Sequence, residues 1–221
     1  MQEKTTVLVV EDEPKVLKQL LRMLGRKKEI EILGSAMNGE EAIELAFKLK
    51  PQVMILDLGL PGIDGIEVTK RVKNKLPDLE ILIFTVFDDE VRVMEAVRAG
   101  ASGYLLKGVP TDKIIEAIEE IRSGGSVIQP NLARSLLEHF RRAAEAAQKA
   151  DVAEEVPKLT NREREVLELI AKGLSNKEAA RVLGVSRATI RTHLEHIYQK
   201  LDVTNRVEAI TEGLRHGLIE L

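Results

Sequence analysis

The 221-residue sequence contains no cysteine and no tryptophan, and aromatic residues make up only 3% of it. A small secreted domain often needs disulfides to stay folded, so the lack of cysteine favours a reducing, cytoplasmic compartment. Scarce aromatics mean that any core must be built from Val, Ile, Leu and Ala. Long apolar runs are also missing. The opening stretch MQEKTTVLVVEDEP meets acids within a few residues, so it reads as neither a signal peptide nor a membrane span. No membrane partner is expected. Nor does one sign of charge dominate, since the net charge is -3.

Apolar residues at 44% and charged residues at 31% suit packed, soluble domains, and the length suits two of them. The charge is uneven. Residues 1–125 carry -4, residues 126–157 carry -1, and residues 158–221 carry +2 with three of the four His. A mildly basic C-terminal third permits nucleic-acid binding without arguing for it.

Short apolar runs at 6–10, 31–36, 53–57, 80–85 and 103–106 alternate with helical patterns at about 14–25, 39–49, 65–75, 89–99 and 111–123. Strands alternating with helices predict an α/β fold with a parallel sheet covered on both faces. Continuous runs such as VMIL fit strands buried on both sides. Gly124-Gly125-Ser126 then breaks the rhythm. The Ala-rich stretch 131–150 favours helix inside a linker at 124–158.

From 159 the pattern is helical only. Thr160–Glu163 and Ser175–Glu178 have the spacing of capping boxes, Ser186 caps a third helix to about Leu201, and Asn205 starts a fourth. The short break at Gly184-Val185 is the spacing of a helix-turn-helix. The expected organisation is therefore 1–123, a linker at 124–158, and 159–221.

Polar residues fall on strand ends: Glu11 and Asp12 after the first, Asp57 after the third, Thr85 on the fourth, Lys107 after the fifth. Open α/β sheets bind ligands at the carboxyl ends of their strands, where strand order reverses. In the order 2-1-3-4-5 the three acids would converge. Carboxylates at close range repel, and hard oxygen ligands suit Mg²⁺ or Mn²⁺. Lys and Thr opposite them suit phosphoryl oxygens, so one carboxylate could attack phosphorus. Taken singly, each residue has another reading: Asp12 could cap the helix at Pro14, Asp57 could be a turn residue, and a lone Lys is usually solvated. The order of the set along the strand ends is what points to chemistry.

VVED (9–12), ILDLGLPGIDG (55–65), Thr85 and YLLK (104–107) resemble a response-regulator receiver domain, over essentially all of 5–123. The resemblance implies a flavodoxin-like, doubly wound, five-stranded parallel sheet. It implies that Asp57 is the phosphoacceptor, charged by a sensor histidine kinase. It gives Asp12 as a direct metal ligand, Glu11 as an assisting one, and the Gly59 carbonyl as another oxygen. It pairs Lys107 with the phosphoryl group, moves Thr85 toward it, and makes Tyr104 the switch aromatic that turns inward. Two positions depart from the family: Gly108 stands where Pro is common after the Lys, and Val86 stands where a small residue usually follows the Thr.

Residues 159–210 closely resemble the LuxR-type helix-turn-helix of the NarL/FixJ regulators. The family implies that the helix from about Arg187 to Leu201 enters the major groove of double-stranded DNA, with base reading at Arg191, Thr192 and Glu195. Arg187 sits near its start. Lys177, Thr189, His193 and Lys200 are candidate phosphate contacts. Ile190, Leu194, Ile197 and Leu201 form the inward stripe, and His196 carries little information. Glu195 could equally be a solvated i,i+4 partner of Arg191. Val207, Ile210 and Leu214 on the last helix form a stripe that either pairs two chains as a homodimer or belongs to the domain's core.

The leading function is a phosphorylation-dependent, DNA-binding transcription regulator, not an enzyme. One alternative is a Mg-dependent aspartyl-phosphate phosphohydrolase, against which no substrate cap or second catalytic acid beside Asp57 is evident. Another is a regulator that binds DNA without phosphorylation. In the receiver family that residues 5–123 resemble, the positions two beyond the phosphoacceptor and two beyond the Thr flank the path of the attacking water. Here they are Gly59 and Phe87, whose side chains cannot orient a water, so the resemblance implies a long-lived phosphoryl group.

Overall fold

The computed structural model describes residues 4–129, 132, 158–203 and 205–219. Val7 to Val10, Val53 to Leu56 and Ile81 to Ile83 lie at the centre of a parallel sheet, and alternate side chains on both faces are almost wholly buried. The strands are β1 (Thr5–Val10), β2 (Ile30–Ala36), β3 (Val53–Leu56), β4 (Glu80–Thr85), β5 (Gly103–Leu106) and β6 (Val127–Ile128), in the order β2-β1-β3-β4-β5-β6. Burial on two faces is what their unbroken apolar runs require.

The helices between them are α1 (Pro14–Leu24), α2 (Gly39–Leu49), α3 (Gly65–Lys75), α4 (Glu90–Arg98) and α5 (Thr111–Arg122). Leu17, Leu20 and Leu24 of α1 and Ile114, Ile118 and Ile121 of α5 share one core with Val7, Val9, Ile55, Leu82 and Phe84. Asn38, Asp64 and Asp89 cap α2, α3 and α4 by accepting from the backbone N–H three residues on. Helix α1 starts differently: its N-cap is Glu13, no side chain caps it, and Pro14 opens it. Asp12 therefore does not cap this helix, and the capping reading of that residue falls.

The five expected strands are present, and the sheet carries a sixth. Val127 and Ile128 add parallel to Gly103 and Tyr104 at the β5 edge. Two residues are too few to show a period, so sequence pattern assigns them to the linker; the free edge of β5 recruits them. The helix expected over 131–150 lies outside the described residues, apart from Leu132.

The described residues from 158 onward, with Ser123–Ser126, form a second compact unit. Its helices are α6 (Asn161–Ala171), α7 (Asn176–Leu183), α8 (Arg187–Leu201) and α9 (Arg206–Arg215). Both capping boxes form, Thr160 with Glu163 and Ser175 with Glu178. Gly184 ends α7 at φ 65, a left-handed conformation that glycine adopts freely, and Ser186 caps α8 two residues later. Val166, Leu167, Ile170, Ala179, Ile190, Leu194, Ile197 and Ala209 make its core. The inward stripe of α8 is as expected.

Glu163 does more than cap α6. Its buried carboxylate accepts from the Lys200 ammonium at 2.6 Å and from the Thr160 N–H at 2.7 Å. Burial alone would raise its pKa, but Lys200 and the Thr160 hydrogen bonds outweigh that, and the net shift is below the ordinary 4.5. A depressed carboxylate stabilises the fold above its unfolded pKa and loses that contribution as pH falls through the folded value. Lys200→Met should cost the C-terminal unit about 1–2 kcal/mol at pH 7, discounted because Lys200 is partly solvated. Urea unfolding checks this, and the deficit relative to the parent should shrink as pH drops below 4.5.

Candidate functional site

Strand register brings the acids together. Val10 pairs with Leu56 across β1 and β3, and each strand releases its acid at the next residue. The Asp57 N–H donates to Val10 O and the Glu11 N–H donates to Ala36 O, both at 3.1 Å, so both acids stay tied to the sheet edge. On the far side the Lys107 N–H donates to Thr85 O at 2.7 Å. The order reverses between β1 and β3, which opens the crevice at this point.

Lys107 bridges the two buried acids. Its Nζ lies 2.7 Å from Asp57 Oδ2 and 2.8 Å from Glu11 Oε1. Glu11 Oε2 is also 2.7 Å from that ammonium but has no hydrogen bond of good geometry. Burial tends to lower the Lys107 pKa, yet its bonds to Asp57 and Glu11 prevail and raise it. Glu11 is raised too: burial outweighs the help from Lys107, and the Asp57 charge adds repulsion. One ammonium therefore does not offset two buried carboxylates. Carboxylate oxygens of Glu11, Asp12 and Asp57 all lie within 4.8 Å of one another. That crowding of negative charge, with an unsatisfied Glu11 oxygen, fits a divalent cation with oxygen ligands. Gly59 lies beside the acids, its N–H donating to Asp57 Oδ1 at 3.2 Å.

Thr85 Oγ1 is buried and has no hydrogen-bond partner. Tyr104 is wholly buried and its hydroxyl donates to Phe87 O at 2.8 Å, with burial raising its pKa. The aromatic side chain thus already points inward. Gly108 has φ 101, a value closed to proline, which accounts for glycine after the Lys. Val86 is 66% exposed. The bulk beside the pocket is Phe87 instead: a methyl placed on Gly59 would lie 3.4 Å from Phe87 Cε2 and 3.7 Å from Asp57 Oδ2.

Two features escape sequence reasoning. Arg92 lies over the Phe87 ring, 4.2 Å from its centroid. No spacing rule joins these residues, because the ring sits in the loop before α4. Gly65 meets the acceptor loop so closely that a Cβ there would fall 2.3 Å from Asp57 O. The repeated glycines of LGLPGIDG hint at tight turns but not at which one touches Asp57.

In the second unit, α8 exposes Ala188, Arg191, Thr192, Glu195 and Gln199 on one side. Lys177 and Arg187 are exposed, and His193 is half-buried. Arg191 pairs with Glu195 at 3.3 Å, the i,i+4 contact weighed above. The Thr189 hydroxyl engages Ser186 at 2.8 Å, and the Thr192 hydroxyl donates to Ala188 O at 3.2 Å. Lys200, a candidate phosphate contact, is exposed at the surface and its ammonium pairs with Glu163 at 2.6 Å.

The chain matches the response regulator receiver domain family over residues 7–119 and the bacterial regulatory proteins of the luxR family over residues 157–212. The chain belongs to the response-regulator family. It is 35% identical over 208 residues to the nitrate/nitrite response regulator NarL of Escherichia coli strain K12, covering 94% of each chain. It is 34% identical over 214 residues to the transcriptional regulatory protein LnrK of Bacillus subtilis strain 168, covering 96% of this chain and 97% of LnrK. The crystal structure of ChrA, a response regulator of a heme-sensing two-component system, superposes with a TM-score of 0.52 at 32% identity, covering 98% and 99%. Response regulators with this pair of domains are transcription regulators that bind DNA through the helix-turn-helix, not catalytic enzymes, so the phosphohydrolase alternative has no support.

Gly65→Ala should destabilise the N-terminal unit by about 1–3 kcal/mol, because backbone rather than a flexible side chain must give way. Gly59→Ala, whose new methyl would meet only ordinary contacts, should unfold near the parent temperature. Thermal melts of the two full-length variants compare them.

Proposed function

We propose that this response regulator takes its phosphoryl group on Asp57 from a sensor histidine kinase and thereby controls dimerisation and promoter binding. The observation that carries this reading is the Asp57 carboxylate at a strand end, 2.7 Å from Lys107, with Glu11 and Asp12 oxygens beside it. An Asp57 oxygen attacks phosphorus as the phosphorus–nitrogen bond of the donor phosphohistidine breaks, and the electron pair leaves with the imidazole. Lys107 neutralises the charge that gathers on the phosphoryl oxygens. The unpartnered Thr85 hydroxyl is available to rotate toward the same oxygens. Glu11, Asp12, Asp57 and the Gly59 carbonyl would hold Mg²⁺, or Mn²⁺, whose chemistry is to offset charge and orient phosphoryl oxygens.

The receiver is assigned to 1–123 together with the edge strand Val127–Ile128, the rest of 124–158 to the linker and 159–221 to the DNA-binding domain, in a cytoplasmic protein. Arg191, Thr192 and Glu195 read bases, Lys177 of α7 and Thr189, His193 and Lys200 of α8 contact phosphates, and Arg187 lies near the start of the recognition helix, where bases and phosphates are met. Val207, Ile210 and Leu214 of α9 are half-exposed, so part of that apolar stripe remains to pair two chains. With Gly59 and Phe87 beside the acceptor, no side chain at those positions orients a water, and the phosphoryl group persists.

Two measurements test this reading. Incubated with Mg²⁺ and acetyl phosphate, the parent should gain one phosphoryl mass and bind its promoter more tightly in gel shifts. Asp57→Ala should do neither, and chelating the metal should stop the parent. A full adduct on Asp57→Ala would exclude Asp57, and equal DNA binding with and without phosphate would favour the phosphorylation-independent regulator. Arg191→Ala should lose about 1–3 kcal/mol on specific DNA and relax one base position. Equal loss on random DNA would make Arg191 a phosphate contact.

A further inference from the structure

Three contacts meet Phe87, two at its ring and one at its backbone. Its edge lies against Gly59, at the point that Asp57 Oδ2 also borders. Its backbone carbonyl accepts the buried Tyr104 hydroxyl at 2.8 Å. Its face carries the Arg92 guanidinium, 4.2 Å from the centroid, although Asp88 and Asp89 are close in sequence. Arg92 in turn is fixed by α4, since its N–H donates to the capping Asp89 side chain at 3.0 Å. Tyr104 anchors the backbone of residue 87 but cannot fix the χ angles of its ring. Gly59 offers the ring edge no side chain to interlock with. The cation on its face is a contact that favours one ring orientation.

We propose that Arg92 is a positioning residue for the lifetime of the phosphoryl group: its stacking holds the Phe87 ring as an apolar lid beside Asp57, across the approach of hydrolytic water. The proposal rests on Asp57 being the phosphoacceptor and deepens that reading. In the step that ends the signal, a water oxygen bonds to phosphorus as the bond from phosphorus to the Asp57 oxygen breaks. The carboxylate leaves with the electron pair, inorganic phosphate departs, and the proton lost goes to solvent. An apolar ring beside the acceptor can neither donate to that water nor accept from it. A ring freed to swing out uncovers a wetter path.

The test uses the full-length protein charged with acetyl phosphate and Mg²⁺, with decay of the phosphoryl adduct followed by intact mass after the donor is removed. Arg92→Met, which keeps the length and apolar stem but not the charge, should shorten the lifetime by ~2–5-fold, the factor that a half-exposed cation–π contact converts to. Arg92→Lys should fall between parent and Met variant. In a Phe87→Leu background the Arg92→Met change should have no further effect. A purely structural role of Arg92 would not give that pattern. Equal acceleration in the Phe87→Leu background would show that Arg92 acts on the phosphoryl group directly or through α4, and would overturn the proposal. So would an Arg92→Lys variant that decays as fast as Arg92→Met.

A second readout needs no phosphate. Gly59 lies beside the Phe87 ring edge, and its amide NMR shift in the uncharged protein should move toward the Phe87→Leu value in Arg92→Met. An unchanged shift overturns the clamp. A parent that takes no adduct on Asp57 would overturn the phosphoacceptor reading and the lifetime claim with it, while the amide shift still decides whether Arg92 holds the ring.

Discussion

The Lys107 ammonium, placed between the carboxylates of Glu11 and Asp57, is the contact on which the N-terminal unit's chemistry depends. Burial raises the pKa of Glu11 and the Asp57 charge beside it adds repulsion, so the pair calls for a cation. Lys107 meets part of that demand and leaves part of it open. The remainder is what makes the site receptive: to a divalent ion through Asp12 and the unsatisfied Glu11 oxygen, and to a phosphoryl group that brings its own negative oxygens to the ammonium. A pocket fully neutralised by its own side chains would have no use for either.

The surrounding structure holds that pocket in shape. Parallel pairing fixes Val10 beside Leu56 and Thr85 beside Leu106, so acids, hydroxyl and ammonium leave the sheet at one level. The loops are short, and close backbone contact does the rest, as where Gly65 lies against the Asp57 carbonyl. Deep burial of both sheet faces makes this edge stiff. The side chain with an unmet contact is the one poised to respond, the Thr85 hydroxyl.

The C-terminal unit divides its charges differently. Ile190, Leu194, Ile197 and Leu201 press one face of α8 into the core, and that leaves Arg191, Thr192 and Glu195 outward by helical geometry alone. Lys200 lies at the boundary between these faces. Its long stem lets the ammonium reach back to Glu163, which turns a surface cation into a strut between α6 and α8. The exposed Arg191–Glu195 pair is of the opposite kind: both partners are solvated, the pair is weak, and each can be released to another partner.

Much of this protein is determined by the sequence by itself. Apolar runs and helical periods specify the five main strands, the capped helices and the order of the chemistry along the strand ends, because those signals are local and repeat. The capping boxes at Thr160 and Ser175 and the turn at Gly184 are legible for the same reason: each is a rule about residues a few positions apart. What only the tertiary structure decides is what distant residues do to one another. Val127 and Ile128 become a strand because β5 has a free edge. Asp12 is left uncommitted because Glu13 takes the cap position. Lys200 is drawn to Glu163 across 37 positions, and Lys107 reaches Glu11 across 96. Phe87 and Arg92 meet across a loop-to-helix junction that follows no period. Sequence pattern records which face a residue occupies, but a long side chain chooses its partner in three dimensions, where charge and burial set the energy.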